Sequence, residues 1–247
     1  VTGSNALRDL PGLQPVTWAL QVMPLFFVAG GYANAVSWRG VRGRGGDYAS
    51  YIHVRLIRLM RPTLVFVVAV PFVLAALLVM GTGHPEVDLV GSLLAQPLWF
   101  LGVYVAVTAL APAFTAWHER RPVAVLVFLG VMAAGTDVVR FASYDQAGYL
   151  NFGFVWLFAQ QLGFWYADGR RPARRALWAV LTVAIGLLVL LTTFGPYPVS
   201  MVGLPGEMSN MSPPTVCLLV LTVAQAAALQ LLRPTLAAWL VCTRPWE

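Results

Sequence analysis

Lysine is absent from this sequence, and all sixteen of its basic residues are arginine. A phosphate-binding loop that ends in Lys-Ser or Lys-Thr is therefore excluded. Charge of either sign is scarce: 11% of the 247 residues are charged and 59% hydrophobic, with a mean hydropathy of +0.73. A soluble domain of this size carries roughly a quarter charged residues, so lipid must replace water over much of the exterior. A net charge of +6 and a pI near 9.8 would suit nucleic acid. The arginines, however, lie between apolar runs and build no single basic face, so no nucleic-acid partner is expected. Only two cysteines occur, Cys217 and Cys242, far apart and with no histidine nearby. That rules out a metal-ligand spacing and leaves two buried free thiols as the reading. The three histidines, His53, His84 and His118, all fall in expected loops, and no Ser–His–Asp arrangement is present. Neither a metal nor a resident cofactor is expected. No signal peptide opens the chain, and no internal repeat, low-complexity tract or soluble domain stands out.

What the chain does have is long apolar runs. A membrane helix needs about 20 mostly apolar residues, and seven segments qualify: Pro15–Trp38, Pro62–Gly81, Pro97–Trp117, Pro122–Phe141, Tyr149–Ala167, Ala176–Gly195 and Thr215–Leu232. The expected fold is all-α, a polytopic transmembrane bundle with about seven spans. The short apolar stretch Thr235–Cys242 cannot span and is read as the start of a surface helix. The connecting loops alternate in charge. Arg39, Arg42, Arg44, Arg55, Arg58 and Arg61 share one loop, while the next holds His84, Glu86 and Asp88 with no arginine. Then come His118-Glu119-Arg120-Arg121, and later Arg170, Arg171, Arg174 and Arg175. Fourteen of the sixteen arginines fall on one side, with only Arg8 and Arg140 on the other. Cytoplasmic loops collect arginine, so residue 1 is expected outside a cell membrane and residue 247 in the cytoplasm. An outside amino terminus without a signal sequence predicts at least one further helix before Val1, and the final Arg-Pro-Trp-Glu reads as a cut.

Several constellations could carry chemistry. In the first segment Pro24 removes a backbone hydrogen bond, and Gly30-Gly31-Tyr32-Ala33-Asn34 offers small residues where another backbone or a ligand can approach closely. Two readings stand: a kinked helix with a small-residue packing face, or a narrow passage for a substrate chain. After the flexible Gly40–Gly46 hinge, Arg55, Arg58 and Arg61 recur every third residue on one stripe of an amphipathic helix at the inner membrane surface. Attraction to anionic headgroups, worth about 1 kcal/mol per arginine, is one account of it. A clamp on phosphate oxygens is the other. Asp137 and Arg140, three apart, are expected to pair. Gln21, Asn34, Gln160, Gln161 and Gln225 read as interhelical hydrogen-bond glue, and Trp99, Trp165 and Trp178 as interface belt residues. The proline-rich outer loop Gly195–Pro214 is stiff, turn-rich and long enough to be functional.

These residues also carry a resemblance. Phe26-Phe27-Val28-Ala29-Gly30-Gly31-Tyr32 resembles the Phe-Phe-x-x-Ser-Gly-Phe signature of the acyltransferase 3 family, membrane proteins that O-acylate carbohydrates and other acceptors. Glycine replaces the serine, a departure associated with an actinobacterial-type branch. Arg55-x-x-Arg58-x-x-Arg61-Pro62 resembles the arginine run that follows this signature. Pro97-Leu98-Trp99-Phe100-Leu101 resembles the family's Leu-Trp-Phe-Leu segment, with Pro97 in place of the usual histidine. The loop from Gly195-Pro196-Tyr197-Pro198 to Met211 also looks like that branch.

The resemblance implies a single transmembrane acyltransferase-like domain over residues 1–247, shortened at both ends relative to a family fold of about ten helices. It implies acyl transfer from acyl-coenzyme A on the cytoplasmic side to a hydroxyl of a carbohydrate or other envelope acceptor. Arg55, Arg58 and Arg61 would contact the donor's phosphates. Gly30, Gly31, Tyr32, Asn34 and Trp99 would border the substrate passage. The family's catalytic histidine follows an arginine by eleven positions on its first helix. Arg42 and His53 share that spacing but sit in the hinge and surface helix, so the catalytic histidine is expected outside this chain, which alone would be inactive. Two other function classes fit the composition. A polytopic transporter or flippase would also use broken helices, although no charge sits at mid-membrane, and a membrane scaffold or sensor needs no chemistry at all.

Overall fold

A computed structural model describes residues 6–80, 84–204 and 206–242, with side chains throughout these except at 6, 58–63, 66, 84–98 and 240–242. Seven long helices account for most of the described chain: α1 (Met23–Gly43), α2 (Tyr48–Val79), α3 (His84–Arg120), α4 (Pro122–Phe141), α5 (Asn151–Ala167), α6 (Arg174–Phe194) and α7 (Val216–Cys242). No strand occurs among the described residues, where the sole β feature is one isolated bridge, Met211 to Pro214. The all-α expectation holds. Among the described residues, five helical stretches are long and apolar enough to cross a membrane: Pro11–Gly43, Trp99–Arg120, Pro122–Phe141, Arg174–Phe194 and Val216–Trp239.

The element boundaries correct the sequence reading in several places. Pro24 does not kink a helix, because a short helix (Val16–Leu20) ends at Gln21 with an extended ψ of 102° and α1 starts afresh at Met23. Proline in a first turn forfeits no intrahelical bond. Asp47 starts α2 by accepting from the Ser50 backbone N–H at 2.9 Å and its hydroxyl at 2.7 Å. These two bonds hold the Asp47 carboxyl below its ordinary value. The helix then runs unbroken through Pro62, so the surface helix and the second span are one element. The acidic stretch with His84, Glu86 and Asp88 belongs to the start of α3 rather than to a loop. Helix α7 continues through Pro234 and absorbs the segment expected to lie on the surface.

The chain divides into two compact units, Val1–Ala33 with Phe114–Glu247, and Asn34–Ala113. In the first, α5 is the buried element: Val155, Trp156 and Phe164 are fully enclosed, and Phe27 stacks on Trp156 at 4.4 Å. Helices α6 and α7 pack through Leu177, Leu181, Ala227 and Leu231. The opposite faces keep their apolar side chains outside, with Val131 64% and Val183 68% exposed. Apolar residues on the outside and glutamines within suit lipid as the surrounding solvent. In the second unit Tyr51 is fully buried with Ala35, Val107 and Ala111, and its ring meets Trp38 edge-on at 5.6 Å.

Candidate functional site

Helices α4 to α7 alternate in direction along the chain, so α3's end, the α5–α6 connection and the end of α7 share one end of the first unit. There α3 stays helical to Arg120, and only Arg121 separates it from Pro122 at the first position of α4. His118 is consequently a helical residue, not a loop residue, and it is 1% exposed. Its Nδ1 lies 2.9 Å from Gln161 Oε1 and its Nε2 3.1 Å from Asp168 Oδ2. Phe164 and Trp165 meet the imidazole edge-on. Asp168 follows the last residue of α5 and also accepts from Arg170 Nε at 3.4 Å. The Arg170 guanidinium in turn lies 4.6 Å from the centre of the Trp165 ring, within cation–π range. The chain Gln161–His118–Asp168–Arg170 ties α3, α5 and the following turn together. Gly169 makes that turn with φ +70°, a conformation that favours glycine.

Beside this network lies a cavity of about 600 Å³. Arg170 and Arg171 line it from the α5–α6 connection, Arg233 and Gln230 from α7, and Tyr32 from α1. Leu229, Leu236 and Ala237 supply an apolar wall, and no carboxylate belongs to the lining among the described residues. Tyr166 commits its hydroxyl to the Ala226 carbonyl at 2.7 Å. Tyr32 is 49% exposed. Sequence reasoning read these arginines only as markers of membrane orientation. The contributions come from residues far apart in sequence, and no spacing announced them.

The other residues expected from the sequence divide between the units. Gly30, Gly31 and Tyr32 belong to the first, and Asn34, Arg55 and Trp99 to the second. Gly31 is where α1 and α5 touch: a Cβ there would overlap the Gln160 backbone, and one at Gly163 would overlap Val28 and Tyr32. Gly30 is buried too. The glycine pair therefore serves as a small-residue packing face. In the second unit Asn34 Nδ2 donates to Thr108 Oγ1 at 3.4 Å, and Trp99 packs edge-on against Phe100 at 6.3 Å. Tyr51 donates to the Thr108 carbonyl at 3.2 Å, and burial pushes its phenol up to about 12, partly offset by the neighbouring Arg55 charge. The Nε and Nη2 of Arg55 are buried with no hydrogen-bond partner among the described residues. Arg58 and Arg61 lie on the same helix, but their side chains fall outside the described residues. His53 is exposed.

At the opposite end of the first unit, Asp137 does not pair with Arg140. Its carboxylate is 1% exposed and accepts from Asn151 Nδ2 at 2.8 Å, the Tyr197 hydroxyl at 3.0 Å and the Val216 backbone N–H at 2.8 Å. Val216 opens α7, so this carboxylate from α4 also sits where the helix dipole favours negative charge. Burial, and then the Asp137 charge, raise the Tyr197 phenol. Arg140 keeps one buried nitrogen, Nη1, without a hydrogen-bond partner among the described residues. The long loop between α6 and α7 is stitched down. Gln21 donates to the Met201 carbonyl and Trp18 to that of Val199, while Asn210 donates to Pro198 and Ser200. Gln225 donates back to Trp18 and Gln21, in line with its expected role as glue.

A family model described as an acyltransferase domain matches residues 3–244, nearly the whole chain. No curated protein and no solved structure matches it.

Proposed function

Because the chain belongs to the acyltransferase 3 family, whose members are membrane acyltransferases, we propose that it transfers an acyl group from acyl-coenzyme A to a hydroxyl of a carbohydrate or other cell-envelope acceptor. The acceptor oxygen attacks the thioester carbonyl, the carbon–sulfur bond breaks, and coenzyme A leaves as a thiol. The hydroxyl proton passes to a general base and from there to the departing sulfur. A histidine is the expected base. His53, exposed on α2, is not assigned that role. The arginine-bearing loops face the cytoplasm in this reading, where a soluble phosphorylated donor is available.

Arg55 is the observation that supports a phosphate-bearing donor. A buried guanidinium nitrogen without a partner is costly, and an anionic oxygen would satisfy two of them at once. Arg58 and Arg61, each three residues further along the same helix, would extend the contact to neighbouring phosphates.

The test is transfer itself. Proteoliposomes carrying the full-length protein receive acyl-coenzyme A labelled in its acyl group, together with an envelope carbohydrate. Label should enter the acceptor with matching release of free thiol, and Arg58→Ala should weaken donor binding about tenfold. No transfer and no thiol release above protein-free vesicles would remove the donor assignment. Movement of the carbohydrate across the bilayer without acylation would favour the transporter reading instead.

A further inference from the structure

A second set of arginines lies in the first unit. We propose that the cavity lined by Arg170, Arg171 and Arg233 binds a phosphate group attached to an apolar chain. Three arginines from two separate elements line one space of about 600 Å³, and no carboxylate belongs to that lining among the described residues. Three like charges around an unshared cavity repel one another, and a multivalent anion reverses the sign of that interaction. Asp168 is engaged by His118 and Arg170. It offsets the positive charge of Arg170.

The arrangement points to phosphate because planar guanidinium forks match its oxygens two at a time, and several can share one group. Arg170 is held in advance by Asp168 and by the Trp165 face, so less order has to be imposed when a ligand arrives. The rest of the lining describes the remainder of the ligand. Leu229, Leu236 and Ala237 give it an apolar wall, and Gln230 and the Tyr32 hydroxyl can meet an amide or hydroxyl. The volume falls within the range of small-molecule sites.

Two sources present this chemistry: the phosphorylated donor of the proposed reaction and the headgroup of an anionic phospholipid. Assignment to the donor rests on the acyl-transfer reading; the phosphate site itself does not.

The protein in detergent, and in nanodiscs of phosphatidylglycerol or phosphatidylcholine, is compared with an Arg171→Gln/Arg233→Gln double variant and with Ala237→Trp. The first removes charge from the cavity, and the second fills it with the charges kept. Coenzyme A affinity is read by calorimetry and retained phosphatidylglycerol by native mass spectrometry. At least one should fall about tenfold or more in both variants. A fall in coenzyme A affinity assigns the donor, and a fall in retained lipid assigns the headgroup. If both readouts match wild type in either folded variant, the site is overturned. If the lipid arm responds while wild-type protein transfers no acyl group, the cavity stands and the acyl-transfer reading is the one that fails.

Discussion

The two ends of the first unit treat charge in opposite ways. At one end a single buried carboxylate, Asp137, is surrounded by three donors, from Asn151, Tyr197 and the Val216 backbone. At the other, the described lining of the cavity gathers three arginines and no acid, and the nearby Asp168 is already divided between His118 and Arg170. A saturated ion is fixed in place and contributes to stability, because any partner lost leaves a buried group unmet. An undersaturated cluster contributes little to folding and keeps its capacity for something else. The contrast separates an end that holds the fold together from an end equipped to bind.

The largest expected effect tests the saturated end. Asp137→Ala strips the acceptor from three donors at once and should cost about 3 kcal/mol or more, read as a lower Tm in detergent. Arg171→Gln, at the other end, should stay within about 0.5 kcal/mol of wild type. Equal losses would dissolve the distinction. Next comes the packing between the ends. Gly31→Leu pushes a side chain into the Gln160 backbone and should cost about 2 kcal/mol; an unchanged Tm would mean that α1 and α5 are not in contact there. His118→Ala should cost about 1.5 kcal/mol, because Gln161 and Asp168 both lose a partner. Where the donor is the occupant of the cavity, it should also raise KM for acyl-coenzyme A with kcat held, since Arg170 is positioned through Asp168. A fall in kcat alone would place His118 elsewhere in the reaction.

The sequence made one end of this contrast easier to read than the other. The fourth span was read as Pro122–Phe141 and is found with those bounds, because proline at a helix start and an uninterrupted apolar run are local signals. The polar glue was also readable, since a glutamine such as Gln225 inside lipid has to find a partner. Pro62 misled, since proline in a membrane helix breaks nothing if neighbouring groups meet the freed carbonyl, and α2 runs straight through it. Asp137 was matched to Arg140 because three residues apart is a helical neighbour. The chain instead brought in Tyr197 and Val216, from about 60 and 80 residues away. His118 was missed for the same reason: its partners, Gln161 and Asp168, are set by how α3 and α5 pack, and no spacing within one helix encodes them. The arginines of the cavity were visible as charges, but orientation in the membrane was explanation enough for each taken singly.

Tyr197→Phe is the mildest way to sharpen the comparison, because it removes one of the three donors and leaves the other two. At pH 8 it should cost about 1 kcal/mol, the net worth of one hydrogen bond. The pH dependence then reveals whether the phenol is held as described. Burial and the Asp137 charge raise its folded-state value above the ordinary phenol value, so the folded chain keeps a proton that the unfolded chain releases near pH 10. Its contribution is fully present below that point and is lost as pH rises toward the folded-state value. The gap in Tm between wild type and the phenylalanine variant should therefore shrink between about pH 10 and 11. A gap that stays constant across that window would mean the hydroxyl titrates as in water, and that Asp137 is less enclosed than its three donors imply.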